Sequence, residues 1–334
     1  MSVRVAINGF GRIGRTVFRI GHGREEINFV AINDLADTPA LSYLLKYDSV
    51  HGIFKEEVSY DKNELIVNGR RIKTYSIAEP DRLPWREIGV DIVLESTGKF
   101  TEGYKATEHI RSGAKKVIVS APADSADVTV IPGVNDKILN IDKNNIISIG
   151  SCTANCLAPV IKVLDEEYGI EYGFITTVHA YTKDQPVVDE VHKDLRRGRA
   201  AGLSMVPTTT GAFRAIFKVM PHLHDRIKGV SIRVPTPNVS LVDSVVSVKK
   251  RVDRDDINEM FRSYADGPMR GILSCEEEPL VSCDFNGNRY SSVVDLLSTQ
   301  TIDGHFAKIL AWYDNEYGFS NRLIDLMLRI AKAG

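Results

Sequence analysis

The sequence predicts two domains, an α/β domain with a parallel sheet followed by an α+β domain with a mostly antiparallel sheet. Three observations predict it. The chain has 334 residues, about two domains at roughly 150 residues each. Up to about residue 150 short β-rich runs alternate with helical patterns, the order of a parallel sheet built from right-handed crossovers. Beyond that point come long runs in which Ser, Lys and Asp interleave with Val and Leu, the pattern of antiparallel strands with one wetted face.

In chain order, Val3–Asn8 and residues 28–33 read as strands, and between them Ile13, Val17, Phe18 and Ile20 repeat near helical spacing. Further strands are expected at 65–67, Ile92–Glu95, 116–120 and 146–149, with a polar helix over 104–112. A helix carrying Leu157, Val160, Ile161 and Leu164 follows; Pro159 suits it if that residue falls in the first turn. An apolar run over 174–178 comes next, and the alternating runs 229–234 and 239–248 are expected to be antiparallel strands. Residues 183–202 form a polar stretch rich in Arg, Lys and Gly, too long for a simple connection and so a candidate functional or interface loop. Leu323, Ile324, Met327, Leu328 and Ile330 share one face of an amphipathic helix over 321–333.

Composition excludes several classes of protein. Forty-two Lys and Arg against 44 Asp and Glu leave a net charge of −2, without the basic excess of a protein whose main role is nucleic-acid binding. Hydrophobic residues at 43% and charged residues at 26% argue against a disordered chain. Apolar stretches such as 117–120 and 146–149 are far too short to span a bilayer, and the N-terminus opens on a strand pattern rather than a signal peptide. No membrane association and a cytoplasmic location are expected. Four cysteines make no disulfide framework, and the Cys152-x-x-x-Cys156 spacing is neither a zinc ribbon nor a redox pair, so no metal is expected.

Gly9-Phe10-Gly11-Arg12-Ile13-Gly14 follows the first strand and opens the first helix. One glycine permits the tight turn, the next lets a pyrophosphate approach the backbone, and the third lets helix and strand pack closely. The phosphate charge then rests on N–H groups at the helix start. Asp34 ends the second strand 20 residues after Gly14, where a carboxylate accepts from ribose hydroxyls and repels a 2′-phosphate. A turn residue after a strand is the alternative for Asp34. The pattern makes the first domain a Rossmann-type cofactor domain for NAD.

Cys152 sits where a strand passes into a helix, and partial positive charge at a helix N-terminus favours thiolate. Cys156, one turn further in, is expected to pack. His179 ends an apolar run and is the candidate base, with a hydrogen-bonded structural imidazole as the alternative. A dinucleotide site and an activated thiol together are restrictive. An aldehyde is a poor hydride donor until a nucleophile adds to it; thiolate addition gives a hemithioacetal, and its oxidation leaves a thioester that phosphate or water can cut. Three features favour phosphate: the anion-binding potential of Thr208-Thr209-Thr210-Gly211 at a helix start, and the guanidinium groups of Arg197 and Arg233. The second domain is therefore the expected catalytic domain.

The chain resembles the phosphorylating glyceraldehyde-3-phosphate dehydrogenases from end to end. The likeness is carried by residues 6–15, 44–52, 95–98, 151–159, 177–182, 192–197, 207–211, 233–240 and 312–318. The resemblance implies oxidation of glyceraldehyde 3-phosphate with NAD and inorganic phosphate, erythrose-4-phosphate dehydrogenase being the alternative with nearly the same motifs. It implies Cys152 as nucleophile and His179 as the base that activates it. Arg12 and Ile13 would hold the pyrophosphate, Asp34 the adenosine ribose, and Ser120 and Asn315 the nicotinamide end. Thr182 and Arg233 match the site for the substrate's own phosphate; Ser151, Thr153, Arg197, Thr210 and Gly211 match the inorganic phosphate region. A homotetramer is implied, divided into a cofactor domain 1–150 and a catalytic domain 151–314, with a final helix 315–334 packing back on the first. Departures include Ala154 where relatives often carry Thr, and residues 78–82, which leave the adenine contact unassigned. Glu190-Val191 stands where a Leu-Pro pair is frequent, and its carboxylate adds to the expected rejection of NADP.

Overall fold

The structure is a computed structural model describing residues 2–100, 103–124 and 126–333; residue 334, the last of the expected C-terminal helix, lies outside them. Contacts divide the chain into two compact units, one of residues 1–130, 135–150 and 320–334, the other of residues 131–134 and 151–319. Residues 131–134 group with the second unit, and the C-terminal segment that groups with the first begins at residue 320.

The first unit contains β1 (Val3–Asn8), α1 (Arg12–Gly21), β2 (Ile27–Asn33), α2 (Thr38–Lys46), β3 (Val58–Asp61), β4 (Glu64–Val67) and β5 (Arg70–Tyr75). β6 (Ile92–Glu95), α3 (Gly103–Arg111), β7 (Lys116–Val119), β8 (Val128–Thr129) and β9 (Ile146–Ser148) follow. Among the described residues nine strands form one sheet, in the order β3-β4-β5-β2-β1-β6-β7-β9-β8. The run from β5 to β8 is parallel, and β3 and β4 add an antiparallel edge. Val5, Ala6 and Ile7 are wholly buried, as expected of a parallel strand covered on both faces. Strand order reverses at β1, which lies between β2 and β6, and ligands of such sheets bind beyond the carboxyl ends at that switch point.

The second unit begins with α4 (Cys152–Tyr168), β10 (Ile170–Ala180), β11 (Val206–Thr208), α5 (Ala212–Val219), β12 (Ile227–Val234) and β13 (Ser240–Val248). α6 (Arg254–Asp266), β14 (Leu273–Glu276), β15 (Ser292–Ile302) and β16 (Phe306–Tyr313) complete it. Its seven strands run β11-β12-β10-β13-β16-β15-β14 and are antiparallel except at two pairs. One exception corrects half of an expectation: β12, read as antiparallel, is antiparallel to β11 but runs parallel to β10, because the chain between them crosses over through β11 and α5. The other is β14 beside β15. Leu157, Val160, Ile161 and Leu164 of α4 pack into a core with Ile175, Val242, Val246 and Ile309 on one sheet face.

Pro159 is a second correction. Ser151 caps α4, so Pro159 lies two turns inside the helix rather than in its first turn, and the ladder forgoes a donor to the Asn155 carbonyl. The last helix, α7 (Tyr317–Ala333), contributes Ile324 to the first unit, where its Cδ1 would lie only 2.7 Å from a Cβ at Gly21. No helix among the described residues is long and apolar enough to cross a membrane.

Candidate active site

At the end of β1 the chain turns on Gly9, whose φ of 93° suits glycine and where a Cβ would lie 2.6 Å from Thr97 N. A Cβ at Gly14 would meet Gly9 O at 2.3 Å, so only glycine lets α1 close on the turn. At Gly11 the same construction meets nothing within 4 Å, and α1 starts with no side-chain cap and no acid in its first turn. An uncapped helix start facing open space fits a pyrophosphate. Ile13 lies in that first turn. Asp34 Oδ2 accepts from Phe10 N at 2.7 Å and Oδ1 from Ala36 N at 3.0 Å, which places the carboxylate beside the glycine turn, as a ribose-binding acid requires.

Arg12 is held by Asp48 at 2.5 Å. Burial alone would raise the Asp48 pKa, but the amides of His51 and Val50 and the Arg12 guanidinium outweigh it and bring it down to about 2. Ser120 spends its N–H and hydroxyl on the Glu95 carbonyl, both at 3.0 Å. Beneath the turn lies a network that sequence reasoning did not find. The buried Glu95 carboxylate accepts from Thr97 N and its hydroxyl, from Asn8 Nδ2 and from His109 Nε2. Trp85 Nε1 donates to His109 Nδ1, which leaves the imidazole proton on Nε2, and Asn33 Nδ2 donates to Asn8 Oδ1. The ends of β1, β2 and β6 are thereby tied together. Asn8 and Asn33 are amides at matching strand ends, each directly before a residue of the expected site, and that placement was the available signal.

In the second unit the ladder gathers candidate site residues at one end of the sheet. His179 on β10 is the register partner of Arg233 on β12, and Ser240 on β13 that of Tyr313 on β16. Cys152, half-buried, is the first residue of α4, whose cap Ser151 accepts from Ala154 N at 3.1 Å. Cys152 Sγ lies 3.5 Å from His179 Nε2. His179 Nδ1 lies 2.7 Å from the Ala180 carbonyl, which can only accept, and 3.2 Å from Arg233 Nη1, which can only donate; the shorter contact sets the ring proton on Nδ1 and leaves Nε2 bare toward the sulfur. Burial pushes the Cys152 thiol up, against the pull of Arg233 and the Thr153 amide and hydroxyl. It pushes His179 down to about 3, with Arg233 and Arg197 adding to the effect. Charge on either group alone is therefore opposed, and the expected thiolate is not favoured by the helix start by itself. Charge on both together, with the proton passed from sulfur to Nε2, is the state in which each offsets the cost of the other. Cys156 is buried against Ser292 and Ala311, and burial lifts its thiol to about 12, in keeping with packing.

The remaining anion-binding candidates divide into groups. Arg233 Nη1 donates to Thr182 Oγ1 at 3.2 Å and to Ala180 O at 3.1 Å, while its buried Nε has no partner among the described residues. Arg197 is engaged by Thr208 Oγ1, Asp184 and the Thr209 carbonyl, which also staples the irregular 183–202 loop. Thr210 Oγ1 accepts from Ala212 N, and Gly211 opens α5 with no side-chain cap. Thr153 Oγ1 turns inward to the Tyr313 hydroxyl, which also meets Thr177. Asn315 Oδ1 accepts from Ser240. Tyr313, Ser240, Asp48 and Asp184 were not anticipated; each acts on a neighbour that was.

A unit shaped for a dinucleotide and a unit holding a thiol against an imidazole define a class of enzyme, the nicotinamide-dependent dehydrogenases that work through a covalent cysteine adduct. Comparison with known proteins narrows the class. Residues 3–103 match the family model described as glyceraldehyde 3-phosphate dehydrogenase, NAD binding domain, and residues 151–315 match that of the C-terminal domain. Glyceraldehyde-3-phosphate dehydrogenase of Geobacillus stearothermophilus is 52% identical over 334 residues, covering 100% of both chains. Glyceraldehyde-3-phosphate dehydrogenase 1 of Bacillus subtilis (strain 168) is 50% identical and the enzyme of Xanthobacter flavus 49%, each again over 100% of both chains. The chain belongs to the glyceraldehyde-3-phosphate dehydrogenase family, and NAD is its cofactor.

Proposed function

We propose that the protein oxidises glyceraldehyde 3-phosphate with NAD and inorganic phosphate to 1,3-bisphosphoglycerate and NADH. The observation that carries this reading is the approach of Cys152 Sγ to the bare Nε2 of His179 at the start of α4, with Arg233 beside them. Nε2 takes the thiol proton as sulfur adds to the aldehyde carbon, and returns it to the oxygen to give the hemithioacetal. It takes that proton again as the carbon is oxidised to a thioester on Cys152. Bound NAD supplies the two-electron acceptor for this step. A phosphate oxygen then attacks the thioester, the carbon–sulfur bond breaks, and the thiol is restored.

In this reading Thr182 and Arg233 hold the substrate's phosphate, and Ser151, Thr153, Arg197, Thr210 and Gly211 serve inorganic phosphate. Gly9, Gly11, Arg12, Ile13, Gly14 and Asp34 receive the pyrophosphate and ribose, and Ser120 and Asn315 the nicotinamide end. Mixing the enzyme with aldehyde and NAD but no phosphate tests the covalent route. The expected result is a burst of no more than one NADH per chain, with an acyl adduct on Cys152 by mass spectrometry. Steady NADH formation with no adduct contradicts it.

We further propose a cytoplasmic homotetramer. Away from α4, the sheet face of the second unit exposes Phe174 at 75% and Val230 at 40%, with Val245 and Phe306 beside them in register or on the same face. Val187, Val188, Val191 and Leu195 of the 183–202 loop are also exposed. Apolar surface of this extent is the mark of a covered interface, and a second copy of the chain is the proposed occupant.

A further inference from the structure

The hydrogen bonds at the sheet end of the second unit run in one direction. Ala180 N–H can only donate, and it donates to Ser240 Oγ at 3.0 Å. The Ser240 hydroxyl proton is thus free for its other neighbour, Asn315 Oδ1, at 2.9 Å. That assigns the Asn315 amide: the oxygen faces Ser240 and the two Nδ2 protons face away from it. Ser240 is 2% exposed and Asn315 7%, so little water competes for these bonds. The residue before Ser240, Val239, is buried with a φ of 66°. A β-branched side chain avoids that region, and such a conformation persists only where the surroundings impose it. Its neighbour Asn238 is anchored by Nδ2 to Asn286 Oδ1 at 2.8 Å. The backbone is held in a disfavoured shape at the point that delivers the Ser240 hydroxyl to Asn315.

An asparagine free to rotate about its last bond presents either a donor or an acceptor to a ligand. One whose oxygen is already engaged presents only its N–H groups. The carboxamide of nicotinamide carries a carbonyl oxygen that accepts such a donor. We propose that Ser240 is a positioning residue that locks the Asn315 amide with its donors outward, so that the site selects a pyridine ring bearing a hydrogen-bond acceptor at the carboxamide position. This rests on the reading that Asn315 meets the nicotinamide end. The same serine is bonded to the residue whose carbonyl holds His179 Nδ1, so one hydroxyl is shared between the segment carrying the base and the segment holding the ring.

The test compares affinities rather than turnover. Dissociation constants for NAD and for ADP-ribose, which lacks the ring, are measured by calorimetry on the whole protein and on Ser240→Ala, Ser240→Cys, Asn315→Ala and Asn315→Asp. The ratio of the two constants isolates the ring's contribution, and an unchanged ADP-ribose constant reports an intact fold. Ser240→Ala is expected to cut the NAD preference about three- to tenfold, the scale of one neutral hydrogen bond. Ser240→Cys, which keeps the shape but offers only a weak donor, should do the same and serves if the alanine variant fails to fold. Asn315→Asp, which turns an acceptor outward, should lose the preference as fully as Asn315→Ala. The double variant Ser240→Ala with Asn315→Ala should be no worse than Asn315→Ala, because the serine acts through the amide. If Asn315→Ala loses the preference while both serine variants keep it, the role of Ser240 is overturned and the reading of Asn315 stands. If Asn315→Ala itself keeps the preference, the reading of Asn315 falls and the role of Ser240 with it.

Discussion

At the scale of single residues, the proposed chemistry depends on a thiol and an imidazole that each resist charge when alone. His179→Asn removes the proton acceptor 3.5 Å from Sγ and leaves a thiol that burial holds above its ordinary pKa. Only the thiolate alkylates, so a raised pKa means a smaller reactive fraction at neutral pH and a rate that climbs as pH rises toward it. The expected outcome is an alkaline shift of the iodoacetamide pH profile, with oxidation slowed about 10²–10⁴-fold, the usual range for a lost general base. An unshifted profile would remove His179 from the mechanism. Asp34 is proposed to act at the same scale on cofactor choice. Its carboxylate, fixed by the Phe10 and Ala36 amides, would oppose a second phosphate on the ribose. Asp34→Gly should raise kcat/KM for NADP relative to NAD, and an unchanged ratio would assign the discrimination elsewhere, Glu190 being the other carboxylate expected to act.

At the scale of elements, the glycine turn was legible because its first and last glycines, Gly9 and Gly14, are imposed by contacts that no other residue survives. Gly14→Ala puts a methyl 2.3 Å from Gly9 O and must prise α1 from the turn. Overpacking of this kind costs about 1–3 kcal/mol, which thermal unfolding will register, and NAD affinity should fall with it. A variant with full affinity and stability would show that the close packing is not needed. Other elements were hidden for physical reasons. α2 buries Leu41 and Leu45 but exposes Tyr43 and Leu44, so its apolar residues circle the helix instead of marking one face. β12 interleaves Val230, Ile232 and Val234 with Ser231 and Arg233 as an antiparallel strand would, but direction is set by the crossover, which alternation does not encode. Pro159 was tied to a first turn it does not occupy, since a helix packed on its sheet tolerates one missing donor. Cys152, His179 and Arg233 were singled out because their residue types announce chemistry. Glu95, His109 and Ser240 were not, since their importance lies in what they hold: each is a buried polar group whose partners come from distant parts of the chain.

At the scale of the molecule, the exposed apolar face of the second unit asks for a partner. Phe174→Glu places a charge in the middle of that face, opposite Val245 and Lys228 in the sheet register. It should lower the assembly state seen by sedimentation velocity while leaving the secondary structure intact by circular dichroism. A tetramer that persists unchanged would move the interface to another surface. The two family matches place cofactor binding in one part of the chain and the C-terminal domain, which holds Cys152 and His179, in the other. What unites them is a reaction that needs both and that ends in phosphate rather than water. The most direct measurement is therefore steady-state NADH formation from glyceraldehyde 3-phosphate, with erythrose 4-phosphate alongside, with and without inorganic phosphate. Sustained turnover with glyceraldehyde 3-phosphate that requires phosphate is the expected result. Turnover indifferent to phosphate, or faster with erythrose 4-phosphate, would contradict the assignment.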